Sequence, residues 1–145
     1  MAIKQVEPSE AAALLKSNPD AVYLDVRTED EFAAGYPAGA INVPLMFMIP
    51  GNPQQNPDFL AVVSKLLPKE TKLIVGCRSG ARSQRACEEL EQAGYADLTN
   101  VRGGYGGARD ASGNIAVKGW EDSNLPISHE LGDNAYQALR TKAGL

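Results

Sequence analysis

The sequence is poor in the residues that build covalently or metal-stapled folds: its 145 residues include two Cys and one His. Two thiols at this length make no disulfide scaffold, and with a single His they make no structural zinc site. A reducing, cytoplasmic setting is therefore expected, and no metal or organic cofactor is indicated. Long hydrophobic runs are also missing. The apolar stretches fall far short of the roughly 20 residues that a spanning helix needs, so no membrane partner is expected. Met1-Ala2-Ile3-Lys4-Gln5 holds no apolar core ahead of a cleavage site, so no secretory signal is expected either. There is no internal repeat and no low-complexity linker, which leaves a single domain. Nor is there a basic surplus. With 14 Lys and Arg against 18 Asp and Glu, the net charge of −4 argues against a nucleic-acid partner.

The composition that remains, 43% hydrophobic and 22% charged, is that of a globular chain. Its length lets it bury roughly two-thirds of its unfolded surface. The 14 Gly and 9 Pro imply many turns. The acidic balance has one local exception. Between Glu70 and Glu88 no acidic residue occurs, while Lys72, Arg78, Arg82 and Arg85 all fall there. A basic knot beside Cys77, in an otherwise acidic chain, reads as an anion site.

The pattern of the chain predicts alternating strands and helices. Residues 3–6 read as a short edge strand, 22–26 as a buried strand, 41–43 as a strand stopped by Pro44, 72–76 as the clearest strand, and 98–101 as the last. Between them, Ser9 is expected to cap a helix running to about Ser17. Thr28 with Glu31 forms a capping box for a short helix closed by Gly35. Asn56-Pro57 is expected to open a helix through Leu67. A further helix is expected from about Arg82 to Ala93 with Gly94 as its C-cap, and Asp133 is expected to cap a last helix from Ala135 to Lys142. Crossovers of this length favour an α/β fold, a central parallel sheet flanked by helices on both faces. Such sheets bind ligands at the carboxyl ends of their strands. That rule gathers Asp25–Arg27, the loop after Pro44, Cys77–Ser83 and Arg102–Tyr105 at one rim.

The chemistry is expected in the loop Cys77-Arg78-Ser79-Gly80-Ala81-Arg82-Ser83, between a strand and a helix. A thiol there faces backbone N–H groups, the positive end of the helix and two guanidinium groups, each favouring thiolate over thiol. Gly80 lets the backbone turn so that these N–H groups converge. The same geometry holds an oxyanion, so the expected substrate is a small anion with an electrophilic atom that the thiolate attacks.

Three motifs resemble the rhodaneses, the single-domain sulfurtransferases, over about Ile3 to Ile127. They are Leu24-Asp25-Val26-Arg27 with Glu31-Phe32 and Gly39-Ala40-Ile41-Asn42-Val43-Pro44; the loop 77–83; and Gly103-Gly104-Tyr105 with Trp120 and Leu125-Pro126 later. The resemblance implies a thiosulfate sulfurtransferase with Cys77 as the catalytic, sulfur-carrying residue. In such an enzyme Cys77 takes the outer sulfur of a donor such as thiosulfate as a persulfide, releasing sulfite. It then passes that sulfur to cyanide in an assay or to a thiol, free or on a protein, in the cell. It implies further that the N–H groups from Arg78 through Ser79, Gly80, Ala81, Arg82 and Ser83 hold the persulfide, and that Arg78 and Arg82 attract the donor. Related Cys-dependent phosphatases and arsenate reductases tend to have Cys-x5-Arg, whereas Cys77 to Arg82 is the tighter Cys-x4-Arg. A partner-fed persulfide relay with little thiosulfate activity is the alternative reading, and the apolar Met46–Ile49 segment is the feature that favours it.

The chain departs from the family pattern at Tyr36-Pro37, where relatives usually have a His and a later proline; a changed turn is expected there. Residues 108–119 resemble an insertion, with its turn at Ser112-Gly113-Asn114. The domain is expected to occupy residues 1–127, with 128–145 an extension whose short helix packs back on it. Cys87 reads as a buried small side chain on the inner face of its helix, and His129 as a surface residue.

Overall fold

Residues Leu73–Gly76 read Leu-Ile-Val-Gly, and all four are buried. A strand without a polar face belongs inside a parallel sheet covered on both sides. In the computed structural model, which describes residues 3–145, that segment lies at the centre of a five-stranded sheet. Met1 and Ala2, the start of the segment read above for a secretory signal, lie outside the described residues. The strands are β1 (Lys4–Val6), β2 (Val22–Asp25), β3 (Ile41–Asn42), β4 (Leu73–Gly76) and β5 (Leu98–Val101), in the order β1-β5-β4-β2-β3 and all parallel. The register places Leu24 against Val75 and Ile41, and Val75 against Asn100.

Successive strand residues point to opposite faces, and this alternation divides the core in two. Leu24, Leu73, Val75 and Leu98 pack beneath α3 (Phe59–Leu66), α4 (Ala81–Gln92) and α5 (Tyr136–Lys142). Tyr23, Ile74, Val101 and Trp120 face α1 (Pro8–Ser17) and α2 (Glu29–Ala33), which contribute Ala11 and Phe32. Helices therefore cover both faces, as expected. None of the described helices is long and apolar enough to cross a membrane. The final helix joins the core through Tyr136, Leu139 and Ala143, and the Tyr136 hydroxyl accepts from Asn56 Nδ2 at 2.9 Å.

Three helix starts differ from the expectation. Pro8 takes the first turn of α1 with Glu7 before it, and Ser9 lies inside the helix without capping it. Proline presets φ for a helix and lacks the N–H that a cap would satisfy. Asn56 does not open α3, which starts after Asp58. Its side chain is drawn into the core instead, donating to Pro44 O and the Tyr136 hydroxyl while accepting from Asp58 N. Asp133 does not cap α5, whose N-cap is Ala135. The Thr28–Glu31 capping box is present with both of its hydrogen bonds.

Segments 36–37 and 127–128 pair antiparallel. Tyr36 is buried, stacks on Phe32 with ring centroids 4.0 Å apart, and donates its hydroxyl to Glu130 O. It therefore ties the C-terminal segment to the turn after α2. Residues 108–109 and 115–117 form an antiparallel hairpin. Asp110 Oδ1 accepts from the N–H groups of Ser112 and Asn114 at its tip.

Candidate active site

The loop from Cys77 to Gly80 leaves the carboxyl end of the central strand β4 and runs directly into α4. Its shape is set from outside, by the Gly103–Gly106 turn that follows β5. Cys77 O accepts from Tyr105 N at 2.8 Å, Arg78 O from Gly106 N at 2.8 Å, and Ser79 O from Gly103 N at 3.2 Å. A peptide's N–H points opposite to its carbonyl, so three carbonyls tied outward leave the N–H groups of Arg78, Ser79 and Gly80 facing inward. The Gly80 N–H reaches Cys77 Sγ at 3.1 Å. Among the described residues, the N–H groups of Arg78, Ser79, Ala81, Arg82 and Ser83 have no acceptor. Those of Ala81, Arg82 and Ser83 are the orphan donors of the first turn of α4. Gly80 sits at φ +115°, in left-handed space that a side chain would resist. Cradles of inward N–H groups of this kind bind anions.

Cys77 is 1% exposed, so the thiol lies at the floor of this cradle. Behind it, Ser83 Oγ lies 3.4 Å from Sγ, 3.2 Å from Gly80 O and 2.5 Å from Asn100 Oδ1. Asn100 Nδ2 in turn donates to Gln5 Oε1 at 2.9 Å. Asn100 is therefore a buried support of the loop, and sequence reading missed it. The only hint was a polar pair, Thr99-Asn100, in the middle of a buried strand.

Of the other two rim segments, Asp25–Arg27 meets the site as expected, whereas the loop after Pro44 joins the rim, among the described residues, only through Leu45 N donating to Val26 O at 3.1 Å and does not line the pocket beside the thiol. Arg27 pairs with Asp25 through Nη2 to Oδ2 at 2.8 Å and Nε to Oδ1 at 3.0 Å, both residues being buried. Burial pushes the Asp25 carboxyl up while the hydrogen bonds from Arg27 pull it down. Burying such a pair costs desolvation, so its value lies in position. Arg27 Nη2 also donates to Gly35 O at 2.8 Å, and its guanidinium lies 4.4 Å from the centroid of the Tyr105 ring. Asn42 Nδ2 donates to the carbonyls of Asp25 and Arg27, which holds the end of β3 against the same rim.

The comparisons with known proteins agree with this geometry. Residues 7–111 match the model of the rhodanese-like domain. The chain is a member of the rhodanese family. It is 40% identical over 130 residues to thiosulfate sulfurtransferase 18 of Arabidopsis thaliana, covering 88% of this chain and 85% of that protein. It is 47% identical over 105 residues to the senescence-associated protein DIN1 of Raphanus sativus, covering 72% of this chain and 51% of that one. It thus spans about half the length of that relative. The crystal structure of Rv0390 from M. tuberculosis superposes with a TM-score of 0.75 at 31% identity, covering 90% of this chain and all of that one. These likenesses support a sulfurtransferase.

The two arginines of the rhodanese loop differ in what they hold. Arg82 is committed: Nη1 and Nη2 donate to Glu31 Oε1 and Oε2 at 2.8 and 3.0 Å. Arg78 has no ion pair or side-chain hydrogen bond among the described residues and is exposed. It lines a 270 Å³ pocket with Arg27, Glu31, Ala34, Tyr105, Gly106 and Glu121. Sequence reading placed both arginines in the loop, but the partner of Arg82, 51 residues away in α2, was not legible there. Cys87 is fully buried on α4, and burial first, then the neighbouring acidic charges and Cys77, push its thiol up to about 12. His129 is exposed and sits near Gly35 and the Tyr105 hydroxyl. Among the described residues no group of three or more His, Cys, Asp or Glu side chains is placed to hold a metal ion.

Glu31 carries a pH prediction. Burial pushes its carboxyl up, but hydrogen bonds from Arg82 and Thr28 and the Arg82 charge outweigh that and hold it at about 2, below its ordinary 4.5. A folded-state value below the unfolded one adds stability above pH 4.5, which is lost as the pH falls towards 2. Glu31→Gln keeps a side-chain oxygen for the capping bond and removes only the partly exposed ion pair with Arg82, so it is expected to destabilise the fold at pH 7 by about 0.5–1 kcal/mol. Urea titrations of both proteins should show that difference shrinking between pH 4.5 and 2.

Proposed function

We propose that this protein transfers a sulfane sulfur from thiosulfate, or a similar anionic donor, to a thiophilic acceptor through a persulfide on Cys77. The observation that carries the reading is the cradle itself, inward N–H groups around a buried thiol at the mouth of α4. The Cys77 thiolate attacks the outer sulfur of thiosulfate. The donor's S–S bond breaks, and sulfite leaves with the bonding pair. The new S–S bond of about 2.05 Å carries the transferable sulfur outward from the buried Sγ, among the free amides of the loop. An acceptor such as cyanide then attacks that outer sulfur, and Cys77 departs as thiolate. Arg78, the loop's uncommitted cation, attracts the anionic donor. Arg82 acts indirectly, fixing the first turn of α4 to α2 through Glu31.

Incubation with thiosulfate is expected to release one sulfite per chain and to add about 32 Da, one sulfur atom, to the Cys77 peptide and none to the Cys87 peptide. No adduct on folded protein would sink the thiosulfate assignment. It would favour the second reading, loading by a partner protein's persulfide, for which the 55% and 47% exposures of Met48 and Ile49 speak.

A further inference from the structure

The 270 Å³ pocket beside the sulfur loop is lined by four charged groups, and two of them are already spent. Arg27 is paired with Asp25, and Glu31 with Arg82. That leaves Arg78 and Glu121, which form no salt bridge with each other or with any other described residue. The pocket therefore presents one free cation and one free anion. A carboxylate works against binding a dianion such as thiosulfate, so donor capture gives Glu121 no task.

Its position is nevertheless built. Trp120, 2% exposed, is anchored by Nε1 donating to Pro126 O at 2.7 Å and by an edge contact with Tyr23. Trp120 N donates to Gly104 O at 2.8 Å, and Glu121 N to Tyr105 O at 3.1 Å. Glu121 is thus bolted to the same turn that shapes the sulfur loop. Its charge reaches the Tyr105 hydroxyl, which burial first and then Glu121 push above its ordinary value.

We propose that Glu121 is a specificity residue for the second half-reaction, selecting as sulfur acceptor a thiol that carries an amine near its sulfur, with Arg78 free to take a carboxylate on the same molecule. The inference rests on the persulfide reading above and deepens it. The amine, an ammonium at neutral pH, docks on Glu121. The acceptor thiolate attacks the outer sulfur of the persulfide, a new S–S bond forms, the Cys77 S–S bond breaks, and Cys77 leaves as thiolate. The acceptor departs as its own persulfide, and no external oxidant or reductant is consumed.

The test isolates the acceptor step. Protein loaded with thiosulfate and freed of excess is mixed with cysteamine, which has the amine alone, or 3-mercaptopropionate, which has the carboxylate alone. Loss of the Cys77 adduct is followed by mass. The readout is the ratio of the two second-order rate constants, because the change in that ratio between variants cancels the thiols' intrinsic reactivities. Glu121→Gln is expected to lower the cysteamine preference about three- to fivefold, as for a partly exposed charge contact, and Glu121→Lys about tenfold or more. Glu121→Asp should retain most of it. An unchanged ratio in both the Gln and Lys variants, with Cys77 still loading, overturns this assignment and leaves the sulfurtransferase reading standing. Failure of Cys77 to load in the unsubstituted protein overturns that reading, and this one with it. Glu121 is exposed and its side chain makes no hydrogen bond or ion pair among the described residues, so the variants are expected to fold.

Discussion

Cys77→Ser is expected to reduce thiocyanate formation from thiosulfate and cyanide by about a thousandfold or more, with the fold intact. A serine hydroxyl is not ionised at neutral pH, and an oxygen at this position cannot form the S–S bond that carries the sulfur. The oxyanion cradle offers no residual route, because the transferred atom has to be bound covalently between the two half-reactions. The substitution is small in volume, and Gly80 N can still donate to the new oxygen, so the thermal midpoint should move only a few degrees. Parallel measurement of activity and melting separates the two effects. Residual turnover within tenfold of the native rate would show that Cys77 is not the carrier.

Gly104→Ala is the second large effect, and it acts without touching the thiol. Gly104 sits at φ +51°, and a Cβ there would lie 2.2 Å from Cys77 O, 2.8 Å from Arg78 C and 2.9 Å from Arg78 O. These are backbone atoms, so the loop has to move. Moving it breaks the bonds from Tyr105 N and Gly106 N that turn the Cys77 and Arg78 carbonyls outward, and the N–H groups of Arg78 and Ser79 lose their aim. A fall of about 100-fold in kcat/KM for thiosulfate is expected, with a loss of about 2–4 kcal/mol in stability. Gly113→Ala is the control. Gly113 also has positive φ, +84°, but nothing lies within 4 Å of its Cβ. It should cost about 1 kcal/mol and leave the rate unchanged. Equal rate losses in both variants would mean that backbone conformation alone, and not the cradle, is responsible.

What could be read from the chain alone was whatever depends on neighbours in sequence. The Leu73–Gly76 strand, the Thr28–Glu31 capping box and the loop from Cys77 into α4 are local patterns, and each stands in the structure where it was expected. The caps at Asn56 and Asp133 were local patterns too. Asn56 was taken over by partners 12 and 80 residues away, Pro44 O and the Tyr136 hydroxyl, which no local rule anticipates. The site divides in the same way. The ring of N–H groups was legible, whereas its supports, Glu31 against Arg82 and Asn100 against Ser83, come from other elements. Nothing in the neighbouring sequence marks Glu121; it is the backbone bonds of Trp120 and Glu121 to the turn after β5 that fix it beside the pocket.

The hairpin over 108–117 has a practical meaning as well. Both of its feet end on one rigid turn: Gly107 N donates to Gly103 O, and the strand returning through Lys118 closes over Gly103 before Trp120 N bonds Gly104 O. Its tip at Asp110–Asn114 is exposed, and among the described residues its hydrogen bonds stay within the hairpin. Lengthening a loop costs only about 0.6 kcal/mol per doubling. The tip is thus a graft point, where an epitope or tether can be spliced in while the sulfur ring keeps its shape.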